Sequence, residues 1–249
     1  MEPADDATYT DETAEVYDDW FGGYLGGTAI VDRLAELAVA GGPGPVLELG
    51  IGTGRVALPL AERGVEVHGV DGSEAMVAQL RAKPGGDRIA VTIGDFSDVP
   101  VEGPFALIFV AAGTFFELQS QDAQVRCFEN VARRLRPGGL FAFDAPVPHT
   151  GRRQGDVDTH VIPTTEDRLI VRFRKFDLVA QRYTSNYLVV EDGRARHLKV
   201  RFRYAWPSEL DLMARLAGLQ LKERTSGWRG EPFSGSSSLH VSIYERPAS

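Results

Sequence analysis

Apolar positions in the first 144 residues alternate between helical and strand periods. Thr28 to Ala40 carries Ile30, Leu34, Leu37 and Ala38 at helical spacing, and Gly41-Gly42-Pro43 ends the run. Val46-Leu47-Glu48-Leu49 reads as a short strand, followed by Gly50, Gly52 and Gly54 and a helical stretch from Arg55 to Glu62. A second strand, Val65 to Val70, ends in Asp71; Ser73 to Lys83 is helical, with Met76, Val77 and Leu80 inward, and Ile89 to Ile93 makes a third strand. Phe105 to Val110 is nearly all apolar, as expected of a strand covered by helices on both faces. Val125, Phe128, Val131 and Leu135 mark another helix, stopped by Pro137-Gly138-Gly139 before a strand from Leu140 to Phe143. Short joints and right-handed crossovers turn this βαβ series into a doubly wound sheet.

From Gly155 the rhythm changes. Val157 to Ile162, Leu169 to Asp177, Arg182 to Val190 and His197 to Tyr204 read as strands with no helices between them, joined by turns such as Glu191-Asp192-Gly193. Ser208 then opens a helix after Pro207, with Asp211 as its reciprocal capping partner and Leu210, Met213, Ala214 and Ala217 on the buried face; Gly218 ends it. Leu219 to Arg224 and Leu239 to Glu245 form a last strand pair across a Gly/Ser-rich loop that holds Trp228 and Phe233. The class is α/β: a Rossmann-like, doubly wound, seven-stranded, mostly parallel sheet with an antiparallel terminal strand and an inserted small antiparallel sheet. The expected division is an arm over 1–27, a core over 28–154 and 205–249, and an inserted sheet over 155–204.

The 249 residues suffice for one ample core, and 27 basic against 35 acidic side chains leave a net charge of −8. That excess argues against nucleic acid and favours a small-molecule partner. The longest uncharged apolar run, Phe105 to Phe116, is too short for a membrane span, and the N-terminus has no basic flank ahead of an apolar stretch. Cys127 is the single cysteine, which excludes an internal disulfide and a cysteine-rich metal site and fits a cytoplasmic location. Residues 1–19 hold eight acidic side chains and no basic one, a stretch expected to be loose in isolation, whereas 151–206 carries twelve basic against seven acidic. An acidic arm near a basic layer suggests a lid, set against two unrelated solvated surfaces.

Chemistry concentrates in Glu48-Leu49-Gly50-Ile51-Gly52-Thr53-Gly54-Arg55. Glycines at a strand-to-helix turn let backbone approach a ligand and free the first helix amides. A phosphate loop is excluded, because no Lys-Ser/Thr pair follows the glycines. A dinucleotide fold wants glycine where Arg55 stands, which weakens a nicotinamide reading without removing it. Asp71 closes the second strand where a carboxylate can accept both ribose hydroxyls of an adenosine, and Asp95-Phe96 after the third strand can meet an exocyclic amine and line an adenine pocket. Each aspartate is weighed against a role as helix cap or turn former.

Glu48 to Gly54, Asp71, Gly94-Asp95-Phe96 and Arg136-Pro137-Gly138-Gly139-Leu140 resemble the successive motifs of class I S-adenosylmethionine-dependent methyltransferases, most strongly over 44–144. The resemblance implies that Glu48 orients the loop, Gly50 and Gly52 approach the methionyl portion, Asp71 takes the ribose, and Asp95, Phe96 and Met76 surround the adenine. It also implies that Ala111 offers its carbonyl to the methionyl ammonium, with Tyr17, Gly54, Arg55 and Gly72 completing the cofactor site and S-adenosylhomocysteine as product. Tyr17-Asp18, Gly113-Thr114-Phe115-Phe116, the inserted sheet and Tyr204-Ala205-Trp206-Pro207-Ser208-Glu209-Leu210 resemble the small-molecule enzymes of actinomycete natural-product and antibiotic biosynthesis, among them deoxyaminosugar N,N-dimethyltransferases. The implied reaction is methyl transfer to nitrogen or oxygen, driven chiefly by alignment. An NAD(P)-dependent oxidoreductase and a non-catalytic nucleoside-cofactor binding protein are the alternatives.

His149, past the fifth strand at the ligand edge of the sheet, is the candidate base, against a surface histidine in a Pro-rich loop. No histidine spacing calls for a metal. Trp20, Phe21, Tyr24, Phe115, Phe116, Trp228 and Phe233 are candidate walls of an aromatic acceptor site. Arg172, with Arg174, Arg182, Arg201 and Arg203, either faces that site and pairs with an anionic group or forms the wet face of a half-buried sheet, the favoured reading. The same layer offers edges for a homodimer.

Overall fold

The computed structural model describes residues 11–21, 27–148, 151, 153–162 and 166–248. The helices are α1 (Asp11–Phe21), α2 (Thr28–Ala40), α3 (Ala57–Glu62), α4 (Glu74–Arg81), α5 (Gln121–Arg134) and α6 (Pro207–Leu216). The strands are β1 (Val46–Leu49), β2 (Val67–Asp71), β3 (Ala90–Ile93), β4 (Phe105–Val110), β5 (Leu135–Pro146), β6 (Val157–Ile162), β7 (Arg168–Asp177), β8 (Arg182–Glu191), β9 (Arg194–Arg203), β10 (Gln220–Thr225) and β11 (Leu239–Glu245).

Seven strands form one sheet in the order β10-β11-β5-β4-β1-β2-β3, in which β11 runs antiparallel to both of its neighbours. β1 and β4 are buried along their whole length because helices cover both faces. One face packs Phe115, Phe128, Phe141, Phe143 and Tyr244; the other packs Leu34, Leu37, Leu60, Phe109 and Ile243. The chain order reverses at β1, whose neighbours are β2 and β4. The loops leaving β1 and β4 therefore diverge, and a crevice opens between them at the carboxyl edge of the sheet.

The second sheet, β6-β7-β8-β9, is antiparallel throughout. Its inner face buries Ile170, Phe176, Tyr183, Val189, Leu198 and Val200, while Val157, Val161, Leu169 and Leu188 are exposed on the outer one. Arg203 binds it to the body: its guanidinium donates to Gln124 of α5 and, at 2.7 Å, to Glu209 of α6.

Three local expectations are corrected by tertiary contacts. The acidic stretch is not loose over 11–21: α1 buries Ala14, Trp20 and Phe21, the two aromatics against Ile170, Val189, Leu198 and Val200 of the second sheet. Leu135 is extended rather than helical, and β5 takes in Arg136-Pro137-Gly138-Gly139; the lack of a side chain on Gly139 lets it pass against Phe105 O. Asp211 does not cap α6, which begins at Pro207; its carboxylate instead accepts from Arg224 at 2.6 Å and from the Tyr244 hydroxyl at 2.9 Å. A charged, partly buried guanidinium is the stronger donor in that competition.

Candidate active site

The glycine loop is fastened to β2. Gly50 N–H donates to Val70 O at 2.8 Å, Gly52 N–H to Asp71 Oδ2 at 2.7 Å, and Ser73 N–H to Asp71 Oδ1 at 2.8 Å. Burial raises the Asp71 pKa, and bonds from the Ser73, Gly52 and Gly72 N–H groups oppose that rise. Gly50 and Gly52 both hold positive φ, and a Cβ on Gly50 would lie 2.7 Å from Thr114 Cγ2. Glu48 is 3 % exposed and its Oε2 has no partner among the described residues; burial, then the nearby Asp71 charge, push its pKa well above the usual carboxylate range against the pull of Arg55 and a bond from the Ala57 N–H.

A cavity of about 910 Å³ opens above this loop. Glu48 lines it from β1, Gly50, Gly52 and Arg55 from the loop, Asp71 and Gly72 from the end of β2, Met76 from α4, Asp95 and Phe96 from the turn after β3, Ala111 from just past β4 and Tyr17 from α1. Gly54 does not line it: a Cβ there would lie 2.8 Å from Leu80 Cδ1, so its place is in the packing of loop on α4.

Helix α1 closes the cavity as a strap. Asp18 accepts from Thr53 Oγ1 at 2.6 Å and from Lys83 Nζ, which also donates to Thr53 O at 2.7 Å. Arg55 donates to Phe21 O at 2.6 Å, and its guanidinium lies 4.8 Å from the Tyr17 ring centroid. Enclosure of the phenol pushes the Tyr17 pKa up to about 12 in spite of Arg55. Arg55 thus does in this loop what a packing glycine cannot, tying the strap to the helix start.

A second cavity of about 920 Å³ adjoins the first. Tyr17, Arg55, Ala112, Thr114, Glu117 and Val200 line both and form the wall between them. The second sheet supplies the roof through Arg172, Arg174, Tyr183, Tyr187 and Phe202; Phe21, Asp144 and Trp228 lie on the other sides.

Residues 46–139 match the methyltransferase domain family. The cypemycin N-terminal methyltransferase of Streptomyces sp is 30 % identical over 202 residues, 81 % of this chain and 82 % of the relative. The chain is an S-adenosylmethionine-dependent methyltransferase. The structure of the CcbJ methyltransferase from Streptomyces caelestis agrees with a TM-score of 0.86 at 37 % identity, over 97 % of this chain and 98 % of its own. The amino pentose methyltransferase CalS10 from Micromonospora echinaspora, solved with S-adenosylmethionine, shares the fold with a TM-score of 0.71 at 19 % identity, over 93 % and 96 % of the two chains. Neither the nicotinamide reading nor the non-catalytic one finds support among these relatives.

The residues of this methyltransferase fit its cofactor. The unpartnered Glu48 oxygen calls for a cationic group such as an amino-acid ammonium, the Asp71 carboxylate for hydroxyls, and Met76 with Phe96 for a flat base.

The acceptor side needs more correction. Phe115 and Phe116 are fully buried and line neither cavity; Phe115 stacks on Phe143 at 4.8 Å, and their neighbours Thr114 and Glu117 face the cavities instead. Trp20 packs under the second sheet with Arg196 above it, and Phe233 lies against His240 and Arg224, both away from the second cavity. Phe21, Trp228 and Arg172 do line it, whereas Tyr24 and His149 lie outside the described residues. The arginines form no single wet face: Arg172 and Arg174 point into the cavity, and Arg203 is sealed in the joint with α5 and α6. Sequence reading missed Asp144, 7 % exposed at the end of β5, although an acid closing a strand is the signal that singles out Asp71.

Proposed function

We propose that this methyltransferase acts on the nitrogen of a small natural-product amine held in the cavity beneath the second sheet. The reading is supported by the wall shared between the two cavities, across which an acceptor in the second would stand beside a cofactor in the first. Bound S-adenosylmethionine supplies a sulfonium methyl group, and in-line displacement then asks the protein mainly for alignment. Strap α1 and the roof exclude water, Phe21 and Trp228 offer apolar sides, and Arg172 is assigned to an anionic group on the acceptor. The Asp144 carboxylate, which lines this cavity and has no cationic partner among the described residues, favours a cationic acceptor over a neutral alcohol, and the relative named as an N-terminal methyltransferase supports nitrogen. The test is transfer of labelled methyl to matched panels of small amines and alcohols, with the product site read by mass spectrometry; methylation confined to oxygen would overturn the choice.

We assign the reaction to the cytoplasm, a reading supported by the use of a single cysteine, Cys127. The assigned assembly is a homodimer through the outer face of the second sheet, where Val161, Val171 and Leu188 stand opposite one another on three adjacent strands. Light scattering that returned a monomer mass at micromolar concentration would remove that assignment.

A further inference from the structure

We propose that Asp144 is the residue that receives the acceptor's ammonium group, holding it beside the transfer position and taking the proton it sheds before attack. The inference rests on the nitrogen reading above.

Asp144 stands at the carboxyl end of β5 and faces the acceptor cavity. Its Oδ1 accepts from Ala112 N–H at 2.8 Å, and Ala112 belongs to the wall between the cavities, so the carboxylate lies one peptide from the place of transfer. The Trp228 indole donates to the same carboxylate. These donors come from the loop after β4 and the loop between β10 and β11, and together they fix the carboxylate's orientation.

They supply dipoles and no countercharge. The acids Asp18, Asp158, Glu209 and Asp211 each pair with a lysine or arginine, but no described cationic side chain pairs with Asp144. A buried carboxylate without a counterion is costly unless a cation completes it. Burial pushes its pKa up to about 6, against the bonds from the Ala112 N–H, its own N–H, the Trp228 indole and the Gly113 N–H. It is thus ionised at neutral pH and still basic enough to take a proton.

The charged groups sharing the cavity are Arg55, Glu117, Arg172, Arg174, Arg229 and Glu231. Tyr17 and Tyr183 also line it and are kept protonated by burial. On the neighbouring strand, Val241 pairs with Asp144, whereas His240 pairs with Ala145 and lies against Phe143 on the opposite face. Burial and Arg224 push the His240 pKa down to about 4, so it adds no charge there near neutral pH.

In the step itself the ammonium N–H bond breaks, its electron pair stays on nitrogen and the proton passes to Asp144. The nitrogen pair then forms the bond to the methyl carbon as the carbon–sulfur pair returns to sulfur. The methylated amine leaves as a cation, and Asp144 returns its proton to solvent.

The test is calorimetric titration of the enzyme, saturated with S-adenosylhomocysteine, with benzylamine and with its neutral counterpart benzyl alcohol from pH 5 to 9. The wild type is expected to prefer the ammonium by roughly tenfold above pH 7 and to lose that preference below about pH 6, as Asp144 takes up a proton. Asp144→Asn keeps an acceptor oxygen for Ala112 N–H, so it should bind S-adenosylhomocysteine unchanged and show no preference at any pH. Trp228→Phe removes a donor that lowers the Asp144 pKa, so its preference should fade at a higher pH than in the wild type, a shift that a merely structural carboxylate would not produce. A preference that persists in Asp144→Asn, or a wild-type cavity that takes neither probe at millimolar concentration, overturns the proposal. Retained preference in Asp144→Asn with methylation on nitrogen rejects Asp144 alone; an Asp144-dependent preference with methylation confined to oxygen rejects the nitrogen reading.

Discussion

Asp71→Ala is expected to weaken S-adenosylhomocysteine binding by on the order of a hundredfold in isothermal titration. The carboxylate has two roles at once. It holds the Gly52 and Ser73 N–H groups, which shape the loop, and it lines the cavity where a ribose hydroxyl would be accepted. Alanine ends both, leaving two backbone donors without their partner and the ligand without its acceptor. Asp71→Asn keeps an oxygen for one donor but turns an N–H toward another, so its loss should be intermediate, roughly tenfold. Affinity in Asp71→Ala equal to the wild type would refute the assignment.

Arg203→Met should destabilise the fold by about 3 kcal/mol, because it leaves Glu209 and Gln124 in the joint without their shared donor. Side-chain exposure is only 7 % for Arg203 and 17 % for Glu209, so water cannot readily replace the guanidinium. For a chain of this length the loss corresponds to a fall in Tm of roughly 6–12 °C. Burial alone would raise the Glu209 pKa, but hydrogen bonds from Arg203, Gln181 and Gln121 outweigh it and hold the carboxyl below its usual range. The stability this contributes is present above the ordinary carboxylate pKa and is lost as pH falls through the lowered one. The gap between wild type and Arg203→Met in chemical denaturation should therefore narrow on acidification; an unchanged midpoint at neutral pH would contradict the role.

Legibility differed sharply between the two cavities. The cofactor side follows from short-range pattern: glycines at one strand-to-helix turn and acids closing successive strands sit at the ligand edge of any such sheet. Gly54 is the exception, since spacing alone does not distinguish a glycine that faces a ligand from one that faces Leu80. On the acceptor side, Phe115 and Phe116 share one 3-10 turn with Thr114 and Glu117, and a single turn points side chains in every direction. Only tertiary packing, of Phe115 against Phe128, Phe141 and Phe143 and of Phe116 beside Phe115 in the same core, buries the phenylalanines and leaves the threonine and glutamate at the wall.

The amino-acid order was enough for the parallel sheet, its extra antiparallel layer and the glycine-and-acid edge that lines the first cavity, because period, turn chemistry and strand-end acids act within a few residues. Helix α1, the fate of each arginine and the importance of Asp144 needed the folded chain. Each depends on groups far apart in sequence, as Asp18 depends on Thr53 and Lys83, Arg203 on Gln124, and Asp144 on Ala112 and Trp228. Burial and pairing are properties of that meeting, and no local pattern encodes them.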